Sequence, residues 1–144
     1  MKIQTLVKHM ANSLETPDTN SSLTFETEYL WLEFKNGIAR AQYKPGIKIT
    51  LDDARKIVRQ RLQQLGDRQY PALIKTTKIK LLDRAAREYL FNEGIVNFKA
   101  MAFIEKKSLE KMLGNAMLRI SRPGIPCRIF STEEEALEWL SQFV

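Results

Sequence analysis

Apolar positions change their period along this 144-residue chain, and the changes divide it. Near the start Ile3, Leu6, Val7, Met10 and Leu14 recur at helical spacing, which predicts one short amphipathic helix. Glu15 to Ser22 then turns polar, with Thr, Pro, Asp, Asn and Ser, and reads as a loop. Residues 1–22 are therefore an N-terminal arm, a short helix or a disordered segment. Residues 23–144 are one domain.

From Leu23 the pattern is that of strands. Leu30, Leu32, Phe34 and Ile38 mix with Tyr29, Trp31, Ala39 and Tyr43. Lys35-Asn36-Gly37 divides the run, and Asn-Gly supplies the positive φ of a tight hairpin turn. Pro45-Gly46 ends the second strand. Thr50 then caps a helix with Asp52 and Asp53 in its first turn. Ala54, Ile57, Val58, Leu62 and Leu65 form its apolar face, Arg55, Lys56, Arg59 and Arg61 take the other positions, and Gly66 closes it.

Tyr70 to Thr76 is the next strand. Leu82 to Glu93 is a second helix with Ala85, Ala86, Tyr89 and Leu90 inward and Gly94 as its stop. Phe98 to Ile104 is nearly continuous apolar, as a strand buried on both faces should be. Ser108 opens a third helix with Leu109, Met112, Leu113, Ala116, Met117 and Ile120, which the spacing assigns to the core. Pro123-Gly124 breaks it, and Cys127 to Phe130 is a last strand. Thr132 and Glu135 make a capping box for the final helix. The order β-β-α-β-α-β-α-β-α predicts an α/β fold with a mixed, mainly parallel sheet and helices packed on it.

Composition narrows the chemistry. Apolar residues make up 44% and charged residues 28%, a globular balance. No apolar run approaches the ~20 residues of a membrane span. Lys2 and Lys8 are not followed by a sustained apolar core, so no secretory leader is expected and the expected location is cytoplasmic. Cys127 is the single cysteine and His9 the single histidine. That inventory argues against a disulfide, a metal site, a cofactor and a Ser–His triad, so the chain is read as a non-enzyme. The carboxylates of Asp52-Asp53 and Glu133-Glu134-Glu135 fall in first helical turns, where the helix dipole accounts for them. Trp31 and Trp139 read as packing residues that need an acceptor for the indole N–H. Arg128 is the one sequence feature that could activate Cys127.

The net charge of +6 matters because of where it falls. In an open parallel sheet the loops after the strands gather at one edge, the usual ligand side. Those loops carry Lys44 and Lys48, then Lys75, Lys78, Lys80 and Arg84, then Lys106, Lys107 and Lys111. A soluble rim explains some of them. The functional reading is an anion or partner site made of Lys75, Lys78, Lys80, Arg84, Lys106, Lys107 and Lys111. An acidic protein is the expected partner, with an anionic lipid or small anion as the alternative. No aromatic residues are interleaved with these lysines, which disfavours nucleic acid. A homodimer is compatible with the sequence.

The segments Phe25 to Gly46 (FETEYLWLEFKNGIARAQYKPG), Pro71 to Glu93 (PALIKTTKIKLLDRAAREYLFNE) and Met112 to Leu140, with Pro-x-Arg-Ile-Phe and Ala-Leu-Glu-Trp-Leu, carry a resemblance. Over Leu23 to Val144 the chain resembles the STAS domain, the fold of the sporulation anti-sigma-factor antagonists. Within it the chain is similar to uncharacterised bacterial STAS-like proteins common in the Bacteroidetes. The resemblance implies an interaction or regulatory domain; related STAS and CRAL-TRIO folds add a lipid- or small-anion-binding module as the alternative. The antagonists carry Asp-Ser-Ser-Gly at the start of the helix after the third strand. Here Leu81-Leu82-Asp83 is followed by Arg84, Ala85 and Ala86. The serine that a partner kinase phosphorylates is missing, so the phospho-serine switch does not carry over.

Overall fold

The computed structural model describes residues 22–144 other than residue 77. The helix expected over Ile3 to Leu14 lies outside the described residues. The strands are β1 (Leu23–Glu26), β2 (Leu30–Lys35), β3 (Ile38–Tyr43), β4 (Lys48–Ile49), β5 (Tyr70–Lys75), β6 (Leu81–Leu82), β7 (Phe98–Ile104) and β8 (Cys127–Phe130). The helices are α1 (Leu51–Leu65), α2 (Arg84–Phe91), α3 (Ser108–Ser121) and α4 (Glu133–Leu140). The main sheet has the order β1-β2-β3-β5-β7-β8, and β4 pairs with β6 in a separate two-stranded sheet. β2 runs antiparallel to both neighbours; β3, β5, β7 and β8 are parallel. Their C-terminal ends therefore share one edge.

The Asn36-Gly37 turn forms as expected, with φ of 54° and 78°. Both residues take the left-handed region that the twist of a two-residue hairpin requires. The run expected as one strand from Leu23 is two. Thr27 breaks it: its hydroxyl accepts the N–H groups of Tyr29 (3.1 Å) and Leu30 (3.2 Å), and its own N–H donates to the Leu30 carbonyl (2.9 Å). The chain reverses there and β1 becomes an edge strand. Pro71 sits inside β5, and the register with β7 shifts between Tyr70 and Ala72. A proline has no N–H to give the ladder, which makes it a natural point for such a shift.

Alternation along the central strands makes two cores. One face of the sheet carries Leu32, Ala39 and Ala72, and packs with Ile57, Leu65 and Ala86 of α1 and α2. The other carries Ile38, Leu73, Ala100, Ala102 and Ile104, and packs with Ala136 and Leu140 of α4. Met101 and Ala102 are fully buried and Phe103 is half-buried, as a strand with neighbours on both sides should be. Each large apolar side chain so buried contributes about 1.5–3 kcal/mol.

Several sequence expectations change here. Leu82 belongs to β6, so α2 starts at Arg84. α3 is not a core helix: none of its residues is buried, and Met112 is 59% exposed. It packs against β8, the edge strand, where the sheet beneath it runs out. Gly114 allows the approach, since a Cβ there would come within 2.6 Å of Ile129 Cδ1. Arg61, expected on the polar face of α1, is 6% exposed.

Candidate functional site

The lysine-bearing loops all leave the C-terminal edge of the sheet, since β3, β5 and β7 are parallel. The loop after β3 and the loop after β5 are sewn together by backbone hydrogen bonds. Gly46 N–H donates to the Lys78 carbonyl at 2.7 Å, Lys80 N–H donates to Ile47 at 2.9 Å, and β4 pairs with β6. Ile47, Ile49, Ile79 and Leu82 point inward from this small sheet into the core, which leaves Lys48, Lys78 and Lys80 exposed above it. The loop after β7 leaves the neighbouring strand and holds Lys106 and Lys107, both exposed.

The expected cluster is not uniform. Lys75 is half-buried and pairs with Glu133, the first residue of α4, which also holds Arg40. Burial, followed by the charges of Arg40 and Lys106, holds the Lys75 ammonium below the usual lysine range. That influence places Lys106 near Lys75. Arg84 pairs instead with Glu88 at 3.0 Å along the exposed side of α2, and Lys111 donates to Ser131 Oγ at 3.0 Å. Lys44 bonds Glu26 at 3.0 Å and lies 5.2 Å from the Trp31 ring centroid. Among the described residues, Lys78, Lys80, Lys106 and Lys107 have no ion pair.

The Asp83 side chain makes no cap hydrogen bond at the start of α2. Cys127 is half-buried, and burial pushes its thiol up to about 11. Arg128 lies 5.3 Å from the Phe130 ring centroid. Trp31 is exposed and donates its indole N–H to Glu26 Oε1 at 2.7 Å, so it is a surface residue with a satisfied donor.

Sequence reasoning missed a second region. Beneath α2 lies a cavity of about 100 Å³, between the sheet face and the α1–α2 pair. Leu32, Ala72, Ile74, Leu90, Phe98 and Met101 line it, along with a few polar residues that include Tyr43 and Arg61. Met112 and Met117 of α3 do not. Arg61 donates to Tyr70 Oη (2.8 Å), the Val96 carbonyl (3.0 Å) and the Gly94 carbonyl (2.9 Å). Its guanidinium stands 4.0 Å over the Phe98 ring centroid. The signal for it was in the spacing: Ala54, Ile57, Val58, Arg61 and Leu65 form one helical stripe, with the arginine in line.

A family model described as "Domain of unknown function (DUF7793)" matches residues 30–144. No curated protein matches the chain. Among solved structures, the chain is similar to an uncharacterised protein of the DUF3478 family with a SpoIIAA-like fold from Shewanella loihica PV-4. The two share 17% identity over 83% of this chain and 92% of that one, with a TM-score of 0.51. A protein of unknown function from Arthrobacter sp. FB24 shares 23% identity over 82% of this chain and 97% of that one, with a TM-score of 0.31. The first likeness shows the fold: a SpoIIAA-like arrangement, the anti-sigma-factor-antagonist fold that the sequence resemblance implied. No helix among the described residues is long and apolar enough to cross a membrane.

Proposed function

The chain belongs to the DUF7793 family, and on this SpoIIAA-like fold we propose that it is a non-enzymatic interaction or regulatory domain docking an acidic partner protein. The contact surface is the basic edge made by the loops after β5 and β7. It works without a phospho-serine switch, because Arg84, Ala85 and Ala86 follow Asp83 at the start of α2. The observation that carries the reading is the set of four exposed lysines, Lys78, Lys80, Lys106 and Lys107, on adjoining loops without ion pairs among the described residues. Clustered cations of one sign raise the local potential and steer acidic partners to the edge. Lys75, Arg84 and Lys111 already have partners and contribute less.

A glutamate-rich peptide titrated against the protein at low and moderate salt tests this. The parent should bind, and binding should weaken as salt screens the lysines. Changing Lys78, Lys80, Lys106 and Lys107 to Glu should cost at least tenfold in affinity. Each exposed substitution should alter stability by no more than ~0.5 kcal/mol. A variant that binds the peptide as the parent does would reduce the edge to a solubilising rim.

A further inference from the structure

The cavity beneath α2 has a composition that asks for a particular ligand. Its lining is apolar almost throughout, yet it includes Arg61, which is 6% exposed. Among the described residues no carboxylate pairs with this guanidinium, and three of its donor bonds go to neutral oxygens. A buried cation without a counter-charge is an expensive arrangement, which neutral acceptors compensate only in part. The half-buried cations of the same protein are arranged differently: Arg40 and Lys75 share the Glu133 carboxylate.

Two further polar groups stand in the same lining. Tyr43 is 8% exposed, and its hydroxyl makes no hydrogen bond among the described residues. Gln60 Oε1 is buried without a hydrogen-bond partner, but as an acceptor it calls for a donor and offers nothing to an anion. The anion-binding groups of this lining are therefore Arg61 and Tyr43. Buried polar groups are normally satisfied, so polar atoms left over in one cavity mark a place built for contact with something else. A guanidinium fork matches a carboxylate in shape and charge, and a phenol can donate to the same group. Size sets a limit: the cavity is smaller than the roughly 150 Å³ that accommodates benzene.

We propose that this cavity binds a small hydrophobic carboxylic acid. Its carboxylate lies at the Arg61 end, Tyr43 serves as a second donor, and its hydrocarbon part packs on Leu32, Ile74 and Met101. The Arg61 end of the site is distinct from the basic edge, although Thr76 and Ile79 of the loop after β5 also line the cavity. Arg61 is tied to Tyr70, Gly94 and Val96, at the start of β5 and in the turn before β7, whereas the lysines follow the ends of these strands.

Propionate, with fewer non-hydrogen atoms than benzene, is a suitable probe, with 1-propanol as its uncharged counterpart and propylamine as its cationic one. Each is titrated into the full chain at millimolar concentrations and followed by backbone amide NMR shifts. Propionate should give saturable shifts at Gly94, Val96 and Phe98. It should bind at least tenfold more tightly than the alcohol, and the amine should not bind. Tyr43→Phe should weaken propionate severalfold and leave the alcohol unchanged. Arg61→Met should remove the preference for the acid. Should that variant fail to fold, the acid-to-alcohol ratio in the parent and in Tyr43→Phe still decides. Equal binding of acid and alcohol, no saturable binding of either, or shifts confined to the Lys78 and Lys107 loops overturns the proposal.

Discussion

The Tyr29 hydroxyl donates to Asp53 Oδ1 at 2.6 Å, joining the β1–β2 turn to the first turn of α1. The other oxygen of the same carboxylate accepts from the Thr50 N–H and the Thr50 hydroxyl, each at 2.9 Å. One aspartate thus closes the capping box of α1 and anchors the hairpin. The Tyr29 hydrogen bond, then those from Thr50, hold its carboxyl below the usual aspartate range.

A depressed carboxyl pKa stabilises the fold above the unfolded-state value and loses that contribution as pH falls through the folded value. Tyr29→Phe should therefore lower the melting temperature at neutral pH. The gap between parent and variant should be complete above about pH 4 and shrink below it. Melting curves from pH 7 to pH 2 check this. A gap that stays constant across that range would mean that Asp53 is not its source.

The contact between Gly114 and Ile129 makes a second test, because it opposes two effects of known sign. Alanine is favoured over glycine inside a helix by about 1 kcal/mol. At position 114 the added Cβ would meet Ile129 Cδ1 at 2.6 Å, so α3 or that methyl must shift. Ile129→Val removes the methyl, at about 0.5–1.5 kcal/mol on its own. Gly114→Ala should thus gain markedly more stability in the Ile129→Val background than in the parent. Chemical denaturation of the four proteins gives the coupling directly. Additive effects would show that α3 is free to ride outward.

What the sequence made legible was whatever local rules decide. The Asn36-Gly37 turn, the Thr50 and Thr132 caps and the apolar run of β7 each follow from a few adjacent residues. The shared edge at which the outgoing loops leave followed from topology, since β3, β5, β7 and β8 are parallel. What local rules could not supply was pairing across distance. Glu133 takes Lys75 out of the expected cluster from 58 residues away. The apolar stripe of α3 looked like core because periodicity reports amphipathicity and not what lies opposite. Arg61 looked like surface because of its type, although its position in the α1 stripe said otherwise.

Cys127 gives a prediction about reactivity. Burial raises its thiol to about 11, and a backbone hydrogen bond from Met101 only partly offsets this. The thiolate is the nucleophile, and an ordinary thiol titrates near 8.5. At pH 8 the thiolate fraction should fall about two orders of magnitude short of that in a free cysteine. Alkylation by iodoacetamide should be correspondingly slow in the native protein and normal in denaturant. Native alkylation at the rate of free cysteine would mean that the β8 edge opens readily.

Glu133 ties stability to the proposed docking surface. Its carboxylate sits between Arg40 on β3 and Lys75 on β5. Glu133→Gln keeps the shape and removes the charge, leaving two cations facing each other. All three side chains are about one-third exposed, which limits the cost to about 1 kcal/mol. For a domain of this size that is a fall of a few degrees in melting temperature. The same change releases Lys75, while Arg40 keeps its pairing with Glu33, so the edge becomes more basic as the fold becomes weaker. Affinity for a glutamate-rich peptide should rise severalfold at low salt, and the gain should vanish at high salt. Melting temperature and peptide affinity should therefore move in opposite directions. If Glu133→Gln weakened both, Glu133 would serve the acidic partner's site only by holding the strands in place, and Lys75 would have no share in the contact.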